Sequence, residues 1–200
     1  MKKFLAIAFL ILVLFGIWKI FLNKSDNVFN EKQVPLRTVA HSGVFNQSIS
    51  NVVNNYLDLT TYFVNDDSVN IKLKTQKFVA SIDSIRLDEL KKDSAPLYTT
   101  VQAQAADIKS NAVAIMQETS LSEMRKDYKM VSENLYPFLK TIGYKGQKLY
   151  LQNCPMAFGE GKDASWISNN KEIMNPYMGK HNPEFNSAML HCGETKDTIK

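Results

Sequence analysis

Four stretches of the chain between residues 44 and 143 carry apolar residues at helical spacing. In each stretch these positions advance by three, four or seven residues, which places them on one face of an α-helix. The positions are Phe45, Ile49, Val52, Tyr56, Leu59 and Phe63, then Ile71, Phe78, Ile82 and Ile85, then Leu97, Val101, Ile108, Ala112 and Ile115, then Leu121, Met124, Tyr128, Val131, Leu135 and Phe138. The pattern predicts four amphipathic helices that bury these faces against one another.

The breaks between these stretches are short and polar. They read NDDS at residues 65–68, KKDSAP at 91–96 and ETSLSE at 118–123, where Ser120 and Glu123 have capping-box spacing. Short connections favour antiparallel neighbours. The predicted fold class is therefore all-α, with an antiparallel four-helix bundle over residues 44–143. Pro137 is expected to kink or end the fourth helix.

The sequence changes character after Gly143. Residues 144–200 are rich in Gly, Pro, Asn and aromatic residues and contain one strand-like run, QKLYLQ. We predict a loop-rich C-terminal cap that contains a short strand. The aromatic side chains of Phe158, Trp166 and Tyr177 are expected to form a small core that holds this cap against the bundle.

The first 22 residues are expected to enter a membrane. A basic head precedes fifteen apolar residues, 4–18. A helix from residue 4 through residue 22 would be about 28 Å long, close to the ~30 Å hydrocarbon core. No small-x-small cleavage pattern follows, which favours an uncleaved anchor over a cleaved signal. In either case the remainder faces the exported side. Residues 23–43 are polar and are interpreted as a tether, and residues 44–200 as a single domain.

The net charge of +4 does not indicate a nucleic-acid partner. Four lysines before residue 25 account for all of it, and the remaining basic and acidic residues balance. A neutral remainder without a cluster of lysine and arginine lacks the electrostatic footprint that binds phosphates. We therefore expect no nucleic-acid binding.

The tail concentrates the residues that bind soft metal ions. It holds both cysteines of the chain and four of its eight methionines. Cys154 and Met156 would lie on the same side of an extended segment, and Met189 and Cys192 would align if their segment turns helically. Thiolates and thioethers select Cu(I), whereas methionine contributes nothing to a zinc site. The predicted metal ligands are Cys154, Met156, Met189 and Cys192, with His191 as an alternate ligand.

The same two cysteines also suit a disulfide. An exported chain with two cysteines commonly closes one, which stabilises the fold by a few kcal/mol. The flanking methionines favour the metal, because a structural disulfide has no use for them, and both interpretations stay open. No enzyme is expected: Cys-x-x-Cys is absent, and the sequence suggests no third group that would orient a cysteine and histidine pair.

Four elements of the tail carry a family resemblance. They are Cys154-Pro155-Met156-Ala157, Ser165-Trp166-Ile167-Ser168, Asn175-Pro176-Tyr177 and Met189-Leu190-x-Cys192-Gly193. With these elements the chain resembles the family called domain of unknown function 3347, found as small exported bacterial proteins and as the C-terminal part of some copper-efflux periplasmic adaptor proteins. The resemblance implies a helical bundle with a cap that bears cysteine and methionine, in a context of soft-metal handling outside the cytoplasm. It implies no reaction.

Two hypotheses about function follow. The first is a membrane-tethered protein on the periplasmic side of the bacterial inner membrane, or secreted to the periplasm if the N-terminal segment is cleaved. It binds Cu(I) and acts in metal handling or efflux, with a metal-efflux or metallochaperone protein as partner. The second is a non-enzymatic interaction module of the efflux-adaptor type, whose tail is fixed by a disulfide between Cys154 and Cys192.

Overall fold

The computed structural model describes residues 40–199 and contains four α-helices in this part of the chain. They are α1 (Gly43–Val64), α2 (Ser68–Asp83), α3 (Ala95–Gln117) and α4 (Leu121–Thr141), with a short 3-10 helix (Leu87–Lys92) before α3. The prediction of four helices is confirmed. The predicted anchor, residues 1–22, and residues 23–39 of the predicted tether lie outside the described residues. None of the helices within residues 40–199 has the length and apolar character needed to cross a bilayer.

Each of the four α-helices begins at a polar side chain that accepts a hydrogen bond from the first turn. The caps are Ser42, Asp67, Ser94 and Ser120, which accept from the backbone N–H groups of Phe45, Asn70, Leu97 and Glu123. Such caps satisfy N–H groups that have no partner within the helix. Pro137 does not end α4, which continues to Thr141. Of the two expected effects of Pro137, a kink or an end of the helix, the end is therefore wrong.

The predicted apolar faces form the core. Every position named for the four stretches is buried except Ile85 and Leu121, which are half-buried. Consecutive helices pack against each other, and α4 also packs against the sheet of the tail. One hydrophobic cluster contains side chains from the four helices and from the tail. The helical period thus identified the buried residues correctly.

Three short strands form an antiparallel sheet in the tail. They are β1 (Leu149–Cys154), β2 (Ala164–Ser168) and β3 (Glu194–Ile199), in the order β2-β1-β3. The prediction of one short strand matches β1 and misses the other two. In β2 the adjacent Trp166 and Ile167 are both buried, and the first four residues of β3 are exposed. Neither strand has the alternating burial of a half-buried strand, so neither could be recognised from its own sequence. Both strands are defined by their backbone pairing with β1.

Buried hydroxyl groups join the sheet to the helices. The Tyr56 hydroxyl on α1 lies 2.7 Å from Ser132 Oγ on α4 and accepts a hydrogen bond from the Ile167 backbone N–H at 3.1 Å. It is also 2.8 Å from the Tyr128 hydroxyl. Burial raises the pKa of Tyr56 and that of Tyr128, so both hydroxyls stay protonated and can donate. This network fixes β2 on the helices.

A second anchor for the tail is aromatic. The Tyr177 ring lies 5.7 Å from Tyr128 of α4, 5.4 Å from Phe158 and 6.0 Å from Trp166, measured between ring centroids. The Tyr177 hydroxyl donates to the Ser165 carbonyl oxygen at 2.5 Å. Pairs at these distances gain energy beyond the area that they bury. The expected small core of Phe158, Trp166 and Tyr177 is confirmed.

Candidate functional site in the C-terminal tail

The structure brings the two cysteines together. Cys154 is the last residue of β1, and Cys192 lies two residues before β3, which pairs with β1 through Asn153 and Glu194. The two Sγ atoms are 2.7 Å apart. Cys154 is fully buried and Cys192 is half-buried. The pairing of β1 with β3 therefore places the thiols side by side, with Cys192 nearer to solvent.

The sulfur separation lies between the values for a disulfide and for a shared metal ion. A disulfide bond is about 2.04 Å long. Two thiolates on one tetrahedral ion, each about 2.3 Å from it, are roughly 3.7 Å apart. The observed 2.7 Å needs a small approach to form a disulfide and an opening of about 1 Å to admit an ion. The observed separation is therefore closer to that of a disulfide than to that of two thiolates on one ion.

The Cys192 thiol is held in its protonated form. Burial, together with the hydrogen bond and the charge interaction with Cys154, raises the pKa of Cys192 to about 11. At neutral pH a metal ion must therefore displace a proton to bind this sulfur, and its apparent affinity falls as the pH falls. The same proton slows the attack of Cys192 on other disulfides, because the thiolate is the nucleophile.

Asn175 positions the segment that carries Cys192. Its side chain is fully buried, and its Nδ2 donates to the Cys192 carbonyl oxygen at 2.9 Å. Its Oδ1 accepts from the backbone N–H groups of Tyr177 and Met178 at 2.9 and 3.1 Å. In the sequence, Asn175 was recognised only as part of the Asn-Pro-Tyr element of the family resemblance, and no role was predicted for it. The available signal was the tendency of Asn to bond the backbone two residues later.

Gly193 allows β3 to approach β1 closely beside the cysteines. Its φ is +141°, and a Cβ atom there would lie 2.8 Å from the Asn153 carbonyl oxygen and 3.0 Å from the Trp166 ring. We expect Gly193→Ala to lower the free energy of unfolding by about 1–3 kcal/mol, because the residue is both strained and crowded. Urea denaturation measures this.

Gly161→Ala provides the matched control for Gly193→Ala. Gly161 also has a positive φ, +70°, but a Cβ atom there has nothing within 4 Å. Its substitution adds backbone strain without crowding, so it should cost less than Gly193→Ala. Equal losses at the two positions would contradict the assigned close approach.

Met156 does not share an extended segment with Cys154. β1 ends at Cys154, and Pro155, which has no N–H for the strand ladder, begins a turn. In that turn the Met156 carbonyl oxygen accepts from the Gly159 N–H at 3.2 Å, and the Met156 side chain is 38% exposed. The expectation that Cys154 and Met156 lie on one side of a strand is therefore wrong.

Met189 lies one turn before Cys192, and the alignment of their sulfurs stays a prediction. The Cys192 N–H donates to the Met189 carbonyl oxygen at 3.0 Å, and the half-buried Met189 packs against the hydrophobic core. Within residues 40–199, no three side chains of His, Cys, Asp or Glu form a group that could hold a metal. An ion on the two thiols would therefore need its further ligands from methionine or from a partner molecule.

The family comparison matches the helical part of the chain. The model of the family described as "Protein of unknown function (DUF3347)" matches residues 52–147. The match over these residues confirms the family resemblance that the sequence suggested. The DUF3347 match extends from within α1 to the segment before β1, so the tail elements that suggested the resemblance lie beyond it. Neither the curated proteins nor the solved structures gave a match.

Proposed function

We propose that this chain is an exported, membrane-tethered protein that binds a soft metal ion, Cu(I), and acts in metal handling or efflux. The observation that carries the proposal is that the fold brings Cys154 and Cys192 side by side, although they lie 38 residues apart in the sequence. Thiolate sulfur is a preferred ligand of Cu(I). A buried thiol beside a half-exposed thiol offers such an ion two ligands and one open side.

Methionine would complete the proposed set of ligands. Met189 stands one turn from Cys192 and is half-buried, which makes its thioether the nearer of the two proposed methionine ligands in the sequence. Met156 is exposed in the turn after β1 and would approach from the solvent side. Thioethers carry no proton at neutral pH, so these two ligands add no pH dependence of their own. The proposed ligands are thus Cys154, Met156, Met189 and Cys192.

The architecture that we propose with this function is a scaffold with a metal-binding cap. The four helices form an antiparallel bundle over residues 44–143, and residues 144–200 form the cap of the same domain. Residues 1–22 anchor the chain in the bacterial inner membrane, with the domain on the periplasmic side. The chain passes the ion to a metal-efflux or metallochaperone protein and catalyses no reaction. The core side chains shared by helices and tail support the single domain.

A second candidate function is an interaction module of the efflux-adaptor type. The observation that favours it is again the sulfur separation, since 2.7 Å is shorter than the roughly 3.7 Å expected between two thiolates on one ion. In this case a disulfide between Cys154 and Cys192 fixes the tail, and docking is the function. Intact mass under non-reducing conditions separates the two candidates. A chain that lacks two hydrogens and takes up no copper after mild handling supports the interaction module.

We expect the reduced chain to bind one equivalent of Cu(I) in competition with a chromophoric chelator. Removal of an outer-shell partner already costs a metal site about 10–100-fold in affinity, so loss of a ligand in Cys154→Ser should cost at least that much. Met189→Leu keeps the apolar volume and removes the thioether, so it should weaken binding by a smaller factor. Titration of the full chain in detergent measures both effects.

Met116→Leu is the matched control for Met189→Leu. Met116 lies on α3, at a groove formed with α2 and Met124, and contributes nothing to the proposed site. Its substitution should leave the copper affinity unchanged. Equal affinities in the wild-type and Cys154→Ser proteins would refute the metal site.

A further inference from the structure

The segment just before α1 is fastened to the 3-10 helix. Residues 40–42 belong to the predicted tether. The Ser42 N–H and hydroxyl donate to the Glu89 carboxylate at 2.5 and 2.7 Å, although Glu89 lies 47 residues later in the sequence. The His41 ring packs on Phe45 of α1, with 4.5 Å between the ring centroids. The entry of the chain into α1 is therefore held by contacts with the 3-10 helix and with α1 itself.

His41 and Asp93 form a buried pair beside these contacts. Their side chains are 7% and 2% exposed, and His41 Nε2 lies 3.7 Å from Asp93 Oδ2. That separation is too long for a hydrogen bond, and within residues 40–199 neither atom has another polar partner. A buried carboxylate without a partner is costly. One proton on the pair removes its net charge, whereas loss of that proton leaves Asp93 buried as an uncompensated anion.

The other charges of the 3-10 helix balance one another. Asp88 and Lys91 pair at 2.5 Å. Glu89 interacts electrostatically with Lys92 and with His41. Hydrogen bonds from the segment before α1 lower the pKa of Glu89, so this carboxylate stays ionised from about pH 5 upward. The charge of the buried pair therefore decides the charge balance at this contact.

The neighbouring elements add no charged group that titrates in the neutral range. α1 carries no charged side chain before Asp58, and α3 carries none before Asp107. Arg86 precedes the 3-10 helix, and Tyr144 and Lys145 lie at a small cavity beside α1. Arginine, lysine and tyrosine ordinarily keep one charge state from about pH 5 to about pH 8. A pH effect on this contact in that range therefore reports on the buried pair.

We propose that the His41–Asp93 pair is a pH-sensitive lock for the entry of the chain into α1. With one proton on the pair, residues 40–42 stay docked on the 3-10 helix. When the pair loses that proton to the solvent, the buried carboxylate draws water in and the docked segment is released. The lock makes the point where the predicted tether meets the helices sensitive to pH. It involves no cysteine, so it does not depend on the proposed copper site.

The sign of the pH dependence follows from the proton count. In the released segment a free histidine loses its proton at about pH 6.5, and a free carboxylate gains one at about pH 4. Between about pH 4 and about pH 6.5 the released pair thus carries one proton, as the docked pair does, and docking is strongest. At higher pH only the docked pair keeps its proton, so docking weakens as the pH rises.

Hydrogen exchange of the Ser42 amide tests the lock, because this N–H donates to Glu89 only while the segment is docked. Exchange is measured by NMR on the reduced full chain in detergent and is corrected for the intrinsic rate at each pH. An opposite charge within about 4–6 Å favours the protonated form of a base by tenfold or more, so protection should be about tenfold higher at pH 5.5 than at pH 8. Equal protection at the two pH values overturns the proposal.

Two variants remove the lock while they keep the shape of the contact. His41→Phe retains an aromatic ring against Phe45 and carries no proton, and Asp93→Asn removes the buried carboxylate. In both, the protection of Ser42 should no longer depend on pH between pH 5.5 and pH 8. His181→Gln is the matched control, because His181 is an exposed histidine, 3.3 Å from a different carboxylate, and should keep the wild-type dependence. A wild-type dependence in His41→Phe assigns the effect to another group and overturns the lock.

Discussion

Replacing Arg125 by methionine is expected to lower the free energy of unfolding by about 3–5 kcal/mol. Arg125 lies on α4 and is 8% exposed, and its Nη2 is 2.5 Å from Asp66 Oδ1 in the turn after α1. The guanidinium also donates to the carbonyl oxygens of Phe63 and Pro176, at 3.2 and 2.8 Å. Methionine fills part of the same volume but leaves the Asp66 carboxylate and both carbonyl groups without this donor. Urea denaturation measures the loss.

The loss is large because the same ion pair holds the tail on the helices. Asp66 Oδ2 accepts from the His181 backbone N–H at 2.6 Å, and the Lys180 N–H donates to the Val64 carbonyl oxygen at 2.9 Å. Gly179 passes so close to Asp66 and Arg125 that a Cβ atom there would overlap them. Burial lowers the pKa of Arg125, and Asp66 opposes that effect. The pair therefore compensates for desolvation that neither charge could bear alone.

Lys126→Met is the matched control for Arg125→Met. Lys126 is the next residue of α4 and forms an ion pair with Glu123, but both side chains are about half exposed, at 57% and 48%. Exposed pairs of this kind contribute about 0–1 kcal/mol. The double variant Arg125→Met/Asp66→Asn should be more stable than Arg125→Met, since it carries no uncompensated carboxylate. Similar losses in Lys126→Met and Arg125→Met would contradict this assignment.

The helices were predictable because their signals are local. Ser94 and Ser120 cap helices within a few residues of themselves, and the apolar residues of one face recur at a period that the chain itself displays. The burial of each apolar face can be predicted without knowing which helices pack against each other. The extension of α4 past Pro137 was not predictable in the same way, because packing of Phe138 and Leu139 in the core outweighs the lost backbone hydrogen bond.

The sheet and the cysteine contact depend on partners that are distant in sequence. The first residues of β3 are exposed and polar, and this strand exists because its backbone pairs with β1. The residue types of Cys154 and Cys192 indicated a site, but their contact follows from that pairing, which no local pattern shows. The turn after Cys154 is local, and Pro155 was its signal. The hydrogen bond from Asn175 to Cys192, in contrast, joins residues that are 17 apart in the sequence, and no local pattern indicates it.

Closing the disulfide between Cys154 and Cys192 is expected to abolish Cu(I) binding completely, and reduction should restore it. The sulfurs at 2.7 Å need to approach by only about 0.7 Å to reach a disulfide bond length. Oxidised glutathione can drive this exchange. The Cys192 thiolate attacks it to give a mixed disulfide and one glutathione thiolate, and the Cys154 sulfur then displaces the second glutathione. A disulfide offers no thiolate to a metal ion.

The raised pKa of Cys192 sets the pH dependence of this closure. Because the pKa is about 11, the thiolate fraction rises with pH throughout the neutral range, and the exchange should accelerate about tenfold per pH unit. Cu(I) added beforehand should slow it, since in the proposed site the ion would occupy the same sulfurs. Intact mass follows the loss of two hydrogens, and Cys192→Ser, which cannot close the bond, is the control. Wild-type copper affinity in the fully oxidised chain would show that the ion binds elsewhere.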